Sequence, residues 1–131
     1  MSEIKIIGSA LPDMPWQDKP SDCMAPVWRY SDNPIINRNP LPDVARIFNS
    51  AVAPYGDGYI GVFRGEQRNG VPHIYLGRSK DAIHWEFDHE KIPFTDENGE
   101  PFMPLYAYDP RLVKIDGVYY IMWCQDAFGP T

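Results

Sequence analysis

The chain has 131 residues, the length of one ordinary domain and enough to bury a core. Its net charge of −6 argues against nucleic acid or an anionic membrane surface as a partner. Aromatic residues make up 14% of the chain and proline contributes 14 residues, about twice its usual share of about 5%, which favours β-structure and extended segments over helix.

No targeting or membrane signal is predicted in the N-terminal residues. The apolar run Ile4–Ile7 is too short for a signal peptide or a membrane span. Cys23 and Cys124 lie far apart without metal-type spacing, so we interpret both as free thiols in a reducing compartment. We therefore expect a cytoplasmic protein that contacts no membrane.

Residues 1–47 form a proline-rich segment that is predicted to be an extended arm. Each proline removes a backbone donor and biases the preceding residue towards extended geometry, so a long helix cannot pass through this segment. Its apolar side chains, among them Trp16, Trp28 and Ile36, still require burial. We expect the arm to pack over a neighbouring domain or subunit, and the full-length protein to be a homo-oligomer.

From Phe48 the pattern changes to short strands at regular spacing. Four strands are predicted, at about 49–54, 59–64, 71–78 and 85–87. Between the third and the fourth, the Asp81 carboxylate is expected to accept backbone N–H groups in a turn, with Trp85 packed back over it.

The hairpin pattern recurs after the acidic loop 95–100. Strands are predicted at 112–115 and 118–123, joined by a turn at 116–117. Aligning this turn with the Asp-Gly pair at 57–58 gives an offset of 59 residues between the two copies. This alignment places two polar residues, Asn49 and Ser50, opposite Tyr108 and Asp109 at the start of each inner strand.

Four antiparallel strands in about 59 residues are typical of one blade of a β-propeller. The predicted domains are therefore the arm 1–47 and a propeller segment 48–131, which holds blade one and part of blade two. A β-sandwich or a small barrel explains the repeat less well.

Because blades bury their faces against neighbours, we expect a longer polypeptide, of which this is the front part. We also expect several apolar side chains to lack partners in this segment: Val62, Phe63, Tyr75, Trp85, Tyr119, Ile121 and Trp123.

Asp109 is the candidate for catalysis, because it is a single acid between tyrosines and a proline at the mouth of an inner strand. A partly desolvated carboxyl group suits a general acid. The plain alternatives are that Asp109 orders an Asp-Pro turn, that Asn49 and Ser50 form a turn before their strand, and that Arg64 pairs with Glu66 at the surface.

Other chemistry is weakly indicated. The three histidines have no common ligand spacing, so no metal is expected: His73, His84 and His89. No phosphate-binding glycine loop and no nucleophile elbow occur, and no cofactor is expected.

Several motifs resemble glycoside hydrolase family 130. They are the stretches 48–52, 61–64, 77–81 and 108–111, the final residues 129–131, and the arm motif 15–20. The resemblance implies an inverting β-mannoside phosphorylase on a five-bladed β-propeller. The arm motif is most similar to the branch that acts on β-1,4-manno-oligosaccharides and mannosyl-N-acetylglucosamine.

By this resemblance Asp109 is the single catalytic acid, Asn49, Ser50 and Arg64 hold the mannosyl ring, and Tyr108 borders the acceptor sugar. The acid protonates the glycosidic oxygen through the mannose 3-hydroxyl while inorganic phosphate, a co-substrate, attacks the anomeric carbon from the opposite face. One carboxylate suffices because phosphate, unlike water, needs no second carboxylate as base. The phosphate-binding residues of the family would lie beyond residue 131. The alternatives are a β-mannoside hydrolase of the same fold and a non-catalytic, sugar-binding fragment.

Overall fold

The structure is a computed structural model that describes residue 15, residues 17–126 and residues 129–130. Nine antiparallel strands and no helix occur in this part of the chain, which confirms the all-β prediction. Accordingly, none of these residues forms a helix that could span a membrane. The strands are β1 (Val44–Tyr55), β2 (Gly58–Gln67), β3 (Pro72–Ser79), β4 (Trp85–Lys91), β5 (Phe94–Thr95), β6 (Pro101–Phe102), β7 (Ala107–Ile115), β8 (Val118–Gln125) and β9 (Gly129–Pro130).

The strands form three sheets. Strands β1 to β4 pair in chain order, β5 pairs with β6 around the acidic loop, and β7, β8 and β9 form the third sheet. Strand β1 begins at Val44 and so takes in the last four residues of the predicted arm. Sequence patterning predicted neither the short β5–β6 hairpin nor β9. A four-stranded sheet followed by a second inner hairpin agrees with the predicted blade pattern, and the closed five-bladed propeller stays a prediction.

The described part of the arm contains turns and bends and one isolated bridge, between Leu41 and Val44. Leu41 is buried in the core, whereas Met24 and Val27 are largely exposed. Both cysteines are free thiols, as predicted. Trp16 and residues 1–14 lie outside the described residues.

The two inner hairpins turn at different residues, which corrects the predicted repeat offset. Tyr55 pairs with Gly58, so the first turn is at 56–57, whereas Ile115 pairs with Val118 around a turn at 116–117. Equivalent positions in the two hairpins are therefore 60 residues apart, the separation of Asn49 and Asp109, and the predicted offset of 59 is wrong by one.

Turn geometry explains the difference. Gly56 has a φ of +59°, and a glycine in this conformation at the first central position is typical of a type II′ turn. In the second turn both Asp116 and Gly117 have positive φ, as a type I′ turn requires. The stretch 56–58 contains two glycines. The predicted alignment used the second glycine, whereas the turn contains the first.

The core lies on both faces of the first sheet, because side chains alternate across a strand. On one face, Leu41 and Val44 pack with Tyr75. On the other face, Val62 and Ile74 pack with Ala107 of β7, which joins the first sheet to the third. The partly buried side chains around this second cluster are Ala51, Leu76, Ile92, Phe94, Leu112, Ile121 and Trp123.

An aromatic cluster on the first face requires glycine in the neighbouring strand positions. The Phe63 ring meets Trp85 and Phe87 edge-on, with ring centroids 4.8 and 5.0 Å apart. A Cβ added at Gly61 would lie 2.4 Å from the Phe63 ring, and one at Gly77 would lie 2.8 Å from it. The two glycines thus leave the space in which the Phe63 ring lies.

The exposed apolar side chains are not the ones that the sequence predicted to lack partners. Val62, Phe63 and Tyr75 are only 1–2% exposed, so the prediction that they lack partners is wrong. The arm, strand β4 and the third sheet cover them. Instead, half-exposed apolar side chains lie along β7 and β8: Val113, Ile115, Val118, Tyr120 and Met122.

The predicted turn between β3 and β4 is confirmed. Asp81 Oδ1 accepts the N–H groups of Ile83 at 2.9 Å and His84 at 2.8 Å, and Oδ2 lies 2.7 Å from His84 Nδ1. The Trp85 indole N–H donates to the Ala82 carbonyl at 3.0 Å. The bonds from the His84 backbone and ring, together with the Ile83 N–H, hold the pKa of Asp81 well below its usual value.

Candidate active site

Two β-bulges place the candidate site. The register of β1 with β2 shifts between Ile47 and Ser50, and the register of β7 with β8 shifts between Tyr108 and Arg111. Bulges redirect side chains and often lie next to active sites. Asp109 lies in the second bulge with a φ of +50°, a conformation that is uncommon for a residue other than glycine. The fold therefore fixes the backbone of Asp109 in a specific, strained geometry.

The Asp109 carboxylate is held through one of its two oxygens. Asn49 Nδ2 donates to Oδ1 at 2.9 Å, and Arg64 Nη1 donates to the same oxygen at 3.0 Å. The contacts of the described residues thus leave Oδ2 without a donor. The side chain of Asp109 is 31% exposed. Because Oδ1 already accepts two hydrogen bonds, Oδ2 is the oxygen that remains for a ligand.

Arg64 is itself held on several sides. Its guanidinium carbon lies 5.1 Å from the centroid of the Phe48 ring and 5.6 Å from that of Tyr108, so two aromatic rings flank the cation. Nη2 lies 3.5 Å from Glu66 Oε2. Nε is buried and has no hydrogen-bond partner among the described residues. The Glu66 pair, which was the plain alternative for Arg64, thus exists beside the Asp109 contact rather than instead of it.

Tyr108 and Ser50 differ in what they offer the site. The Tyr108 hydroxyl donates to the Asp126 carbonyl at 3.1 Å, so its ring, not its hydroxyl, faces Arg64. Ser50 pairs with Phe63 and shares its face of the sheet, opposite the face of Arg64. Its hydroxyl donates to the Phe48 carbonyl at 3.0 Å.

Of the five predicted site residues, the structure brings four together: Asn49 and Arg64 bind the Asp109 carboxylate, and the Tyr108 ring lies against Arg64. Ser50 does not join them. The contacts of all five with a sugar stay predictions. Among the residues that the structure describes, no three His, Cys, Asp or Glu side chains are grouped so that they could hold a metal ion.

Sequence reasoning missed Phe48 as a residue of this site and treated Glu66 only as a surface partner of Arg64. The 60-residue offset places Phe48 opposite Tyr108, and these are the two rings that flank Arg64. The correct turn register would therefore have identified Phe48. Glu66 follows Arg64 by two positions on β2, so both side chains leave the same face of the strand.

Asp109 is fixed by an amide and by a guanidinium that lies between two aromatic rings, and its second oxygen has no donor among the described residues. This arrangement defines the site as a candidate for general acid catalysis. Comparison with known families agrees with this class. Residues 10–130 match the family model of glycoside hydrolase family 130, described as beta-1,4-mannooligosaccharide phosphorylase, and the chain belongs to this family.

A curated relative supports the same assignment. The chain is 42% identical over 130 residues to the beta-1,4-mannooligosaccharide phosphorylase of Ruminococcus albus. This match covers 95% of the chain but 38% of the relative, so the chain spans well under half of the length of that enzyme.

Proposed function

We propose that this chain contributes the mannosyl-binding and acid half of the active site of a β-1,4-mannoside phosphorylase. The enzyme would cleave a manno-oligosaccharide or mannosyl-N-acetylglucosamine with inorganic phosphate and release α-mannose 1-phosphate. The observation that carries the proposal is the Asp109 carboxyl group, which is held at Oδ1 by Asn49 and Arg64 and has no donor to Oδ2 among the described residues. Membership of the phosphorylase family supports the same reaction.

The reaction is a single displacement with inversion. A phosphate oxygen forms a bond to the anomeric carbon as the glycosidic C–O bond breaks, and the leaving sugar oxygen takes a proton that originates on Asp109. The family resemblance implies that this proton passes through the mannose 3-hydroxyl. Asp109 is left as a carboxylate, which the Arg64 guanidinium and the Asn49 amide stabilise until it is protonated again.

Among the described residues, the acids around Asp109 are compatible with phosphorolysis, whereas the residues that separate a phosphorylase from a hydrolase belong to the part of the relative that this chain does not span. An inverting hydrolase needs a second carboxylate to activate water, about 6.5–9.5 Å from the acid. The other carboxylate in this cluster is Glu66, which lies within 3.5 Å of both Arg64 and Arg46 and is therefore occupied as their counter-ion. Phosphate needs no such base.

The proposal assigns the remaining functions to the length of the relative that this chain does not span. Phosphate would be bound by residues of that part, and no cofactor besides the phosphate co-substrate is needed. We further propose a cytoplasmic homo-oligomer in which the proline-rich arm contributes to subunit contacts.

The test uses what we call the full-length enzyme, which is this chain within a polypeptide of the relative's length. The enzyme is incubated with β-1,4-mannobiose and inorganic phosphate, and the products are followed by ¹H and ³¹P NMR. The proposal predicts α-mannose 1-phosphate and mannose in equal amounts, and no turnover without phosphate. Mannose as the sole product, formed at the same rate without phosphate, would indicate a hydrolase and contradict the proposal. No cleavage of any β-mannoside would indicate a protein that is not catalytic.

A further inference from the structure

We propose that Glu66 is a positioning residue for the catalytic acid Asp109. Glu66 acts through Arg64 and keeps Asp109 able to donate a proton. The inference rests on the function proposed above and adds a residue to it. It starts from an alternating row of charges, defined here as the charge row Arg46–Glu66–Arg64–Asp109, that runs from the surface to the site.

The charge row is geometrically continuous. Glu66 Oε1 lies 3.3 Å from Arg46 Nη2, and Glu66 Oε2 lies 3.5 Å from Arg64 Nη2. Arg64 then reaches Asp109 through its other terminal nitrogen, Nη1, at 3.0 Å. Phe48 lies against both guanidinium groups, with distances of 5.4 Å for Arg46 and 5.1 Å for Arg64. Arg64 is therefore shared between two carboxylates.

Exposure increases along the charge row away from its centre. The Glu66 side chain is 16% exposed and that of Arg64 is 25% exposed, whereas Arg46 at the surface end is 56% exposed. Interactions between partly buried charges are screened less than those at the surface. The negative charge of Glu66 therefore acts on Arg64 and Asp109 with less screening by solvent than a surface charge would.

The Arg64 cation beside Asp109 opposes general acid catalysis, and the charge of Glu66 offsets this effect. A guanidinium beside a carboxyl group favours its ionised form, and an ionised carboxylate cannot act as a general acid. Glu66 places a second negative charge 3.5 Å from the same guanidinium, on its other terminal nitrogen. The cation can then hold the geometry of Asp109 while favouring its ionised form less strongly than it would alone.

The other groups around Asp109 make no side-chain contact with Glu66 among the described residues. From β1, Asn49 is a neutral amide. From β7, the Tyr108 hydroxyl donates to the Asp126 carbonyl, and the Arg111 guanidinium donates to the Asp109 carbonyl at 3.2 Å. A shift in the pH profile after substitution of Glu66 is therefore assigned to the charge row.

The experiment measures kcat against pH for phosphorolysis of β-1,4-mannobiose by the full-length enzyme and its Glu66→Gln variant. The substitution keeps the shape of the side chain and removes the charge. We expect the alkaline limb, which reports the essential acid, to move to lower pH by roughly 0.5–1 unit, less than the 1–3 units caused by a directly contacting charge.

Two further variants make the sign of the effect decisive. Arg46→Gln removes the competing partner of Glu66, so the alkaline limb should move to higher pH. Glu66→Asp retains the charge and should restore most of the wild-type profile. The control Glu86→Gln makes the same chemical change at an exposed position on β4 and should leave the profile unchanged.

The outcomes separate the inference from the proposed function. If the wild-type enzyme performs no phosphorolysis, the proposed function fails. If wild type is active and the Glu66→Gln profile coincides with it, or moves to higher pH, the positioning role is overturned. If Glu66→Gln does not fold, as judged by thermal melting, the Arg46→Gln variant decides the question: a shift to higher pH supports the proposal, and an unchanged profile overturns it.

Discussion

Replacing Arg64 with alanine removes the cation that contacts Asp109 Oδ1 at 3.0 Å and lies between the rings of Phe48 and Tyr108. A guanidinium has five N–H donors, so Arg64 has donors beyond the one that it uses for Asp109 with which to bind a sugar hydroxyl. A hydrogen bond to a charged group contributes about 1.5–3 kcal/mol. We therefore expect the affinity for β-1,4-mannobiose to fall by about 10- to 150-fold.

The assay is isothermal calorimetry on the full-length enzyme with mannobiose and without phosphate, so that phosphorolysis cannot proceed. Arg78→Ala is the matched control, because Arg78 is also ion-paired, at 2.6 Å to Asp88, but lies half exposed on β3. The control should bind with wild-type affinity. Thermal melting checks that Arg64→Ala is folded, since Glu66 loses a partner. An affinity within about twofold of wild type, in a folded variant, would refute the assignment of Arg64 to sugar binding and leave it a structural ion pair.

Three predictions concern stability, measured by thermal and denaturant unfolding of the full-length enzyme. Asp81→Asn loses the charge that accepts bonds from the His84 backbone and ring, and should destabilise the protein by about 1–2 kcal/mol. Because folding lowers the pKa of Asp81, its contribution to the free energy of unfolding is fully present above the unfolded pKa of about 3.9 and declines as the pH falls below that value. A difference in stability between wild type and Asp81→Asn that is constant from pH 7 to pH 2 would contradict this. Ala82→Gly should stabilise by about 1 kcal/mol, because Ala82 has a φ of +62°, and an unchanged or lower stability would contradict it. Gly61→Ala should destabilise by about 1–3 kcal/mol, because its Cβ would lie 2.4 Å from the Phe63 ring, and a neutral result would show that the ring moves freely.

The fold was predictable where local chemistry determines it. The turn at Asp116 and Gly117 and the strand patterns around it were sufficient to predict the inner hairpins, and the Asp81 turn followed from hydrogen-bonding capacity. The strand register was not predictable, because the stretch 56–58 contains two glycines and only the observed pairing of Tyr55 with Gly58 decides which of them lies in the turn.

The site was predicted in its composition but not in its geometry. Asn49, Arg64 and Asp109 meet because the two inner strands carry bulges at nearly equivalent positions, and a bulge leaves little trace in a residue pattern. The same bulge places Ser50 on the Phe63 face. The role of Glu66 depends on which nitrogens of Arg64 face which carboxylate, which a sequence does not specify.

The central claim is that Asp109 supplies the proton for the leaving sugar, and Asp109→Asn in the full-length enzyme tests it most directly. The measurement is kcat for phosphorolysis of β-1,4-mannobiose, with calorimetric affinity as the check on sugar binding. A general acid is typically worth about 10²–10⁴-fold, so the account predicts a loss of at least about 100-fold with affinity retained. An aryl β-mannoside, whose leaving group needs no proton, should lose far less. A variant that keeps more than about a tenth of the wild-type rate on mannobiose, or that loses the same factor on both substrates, would contradict the claim.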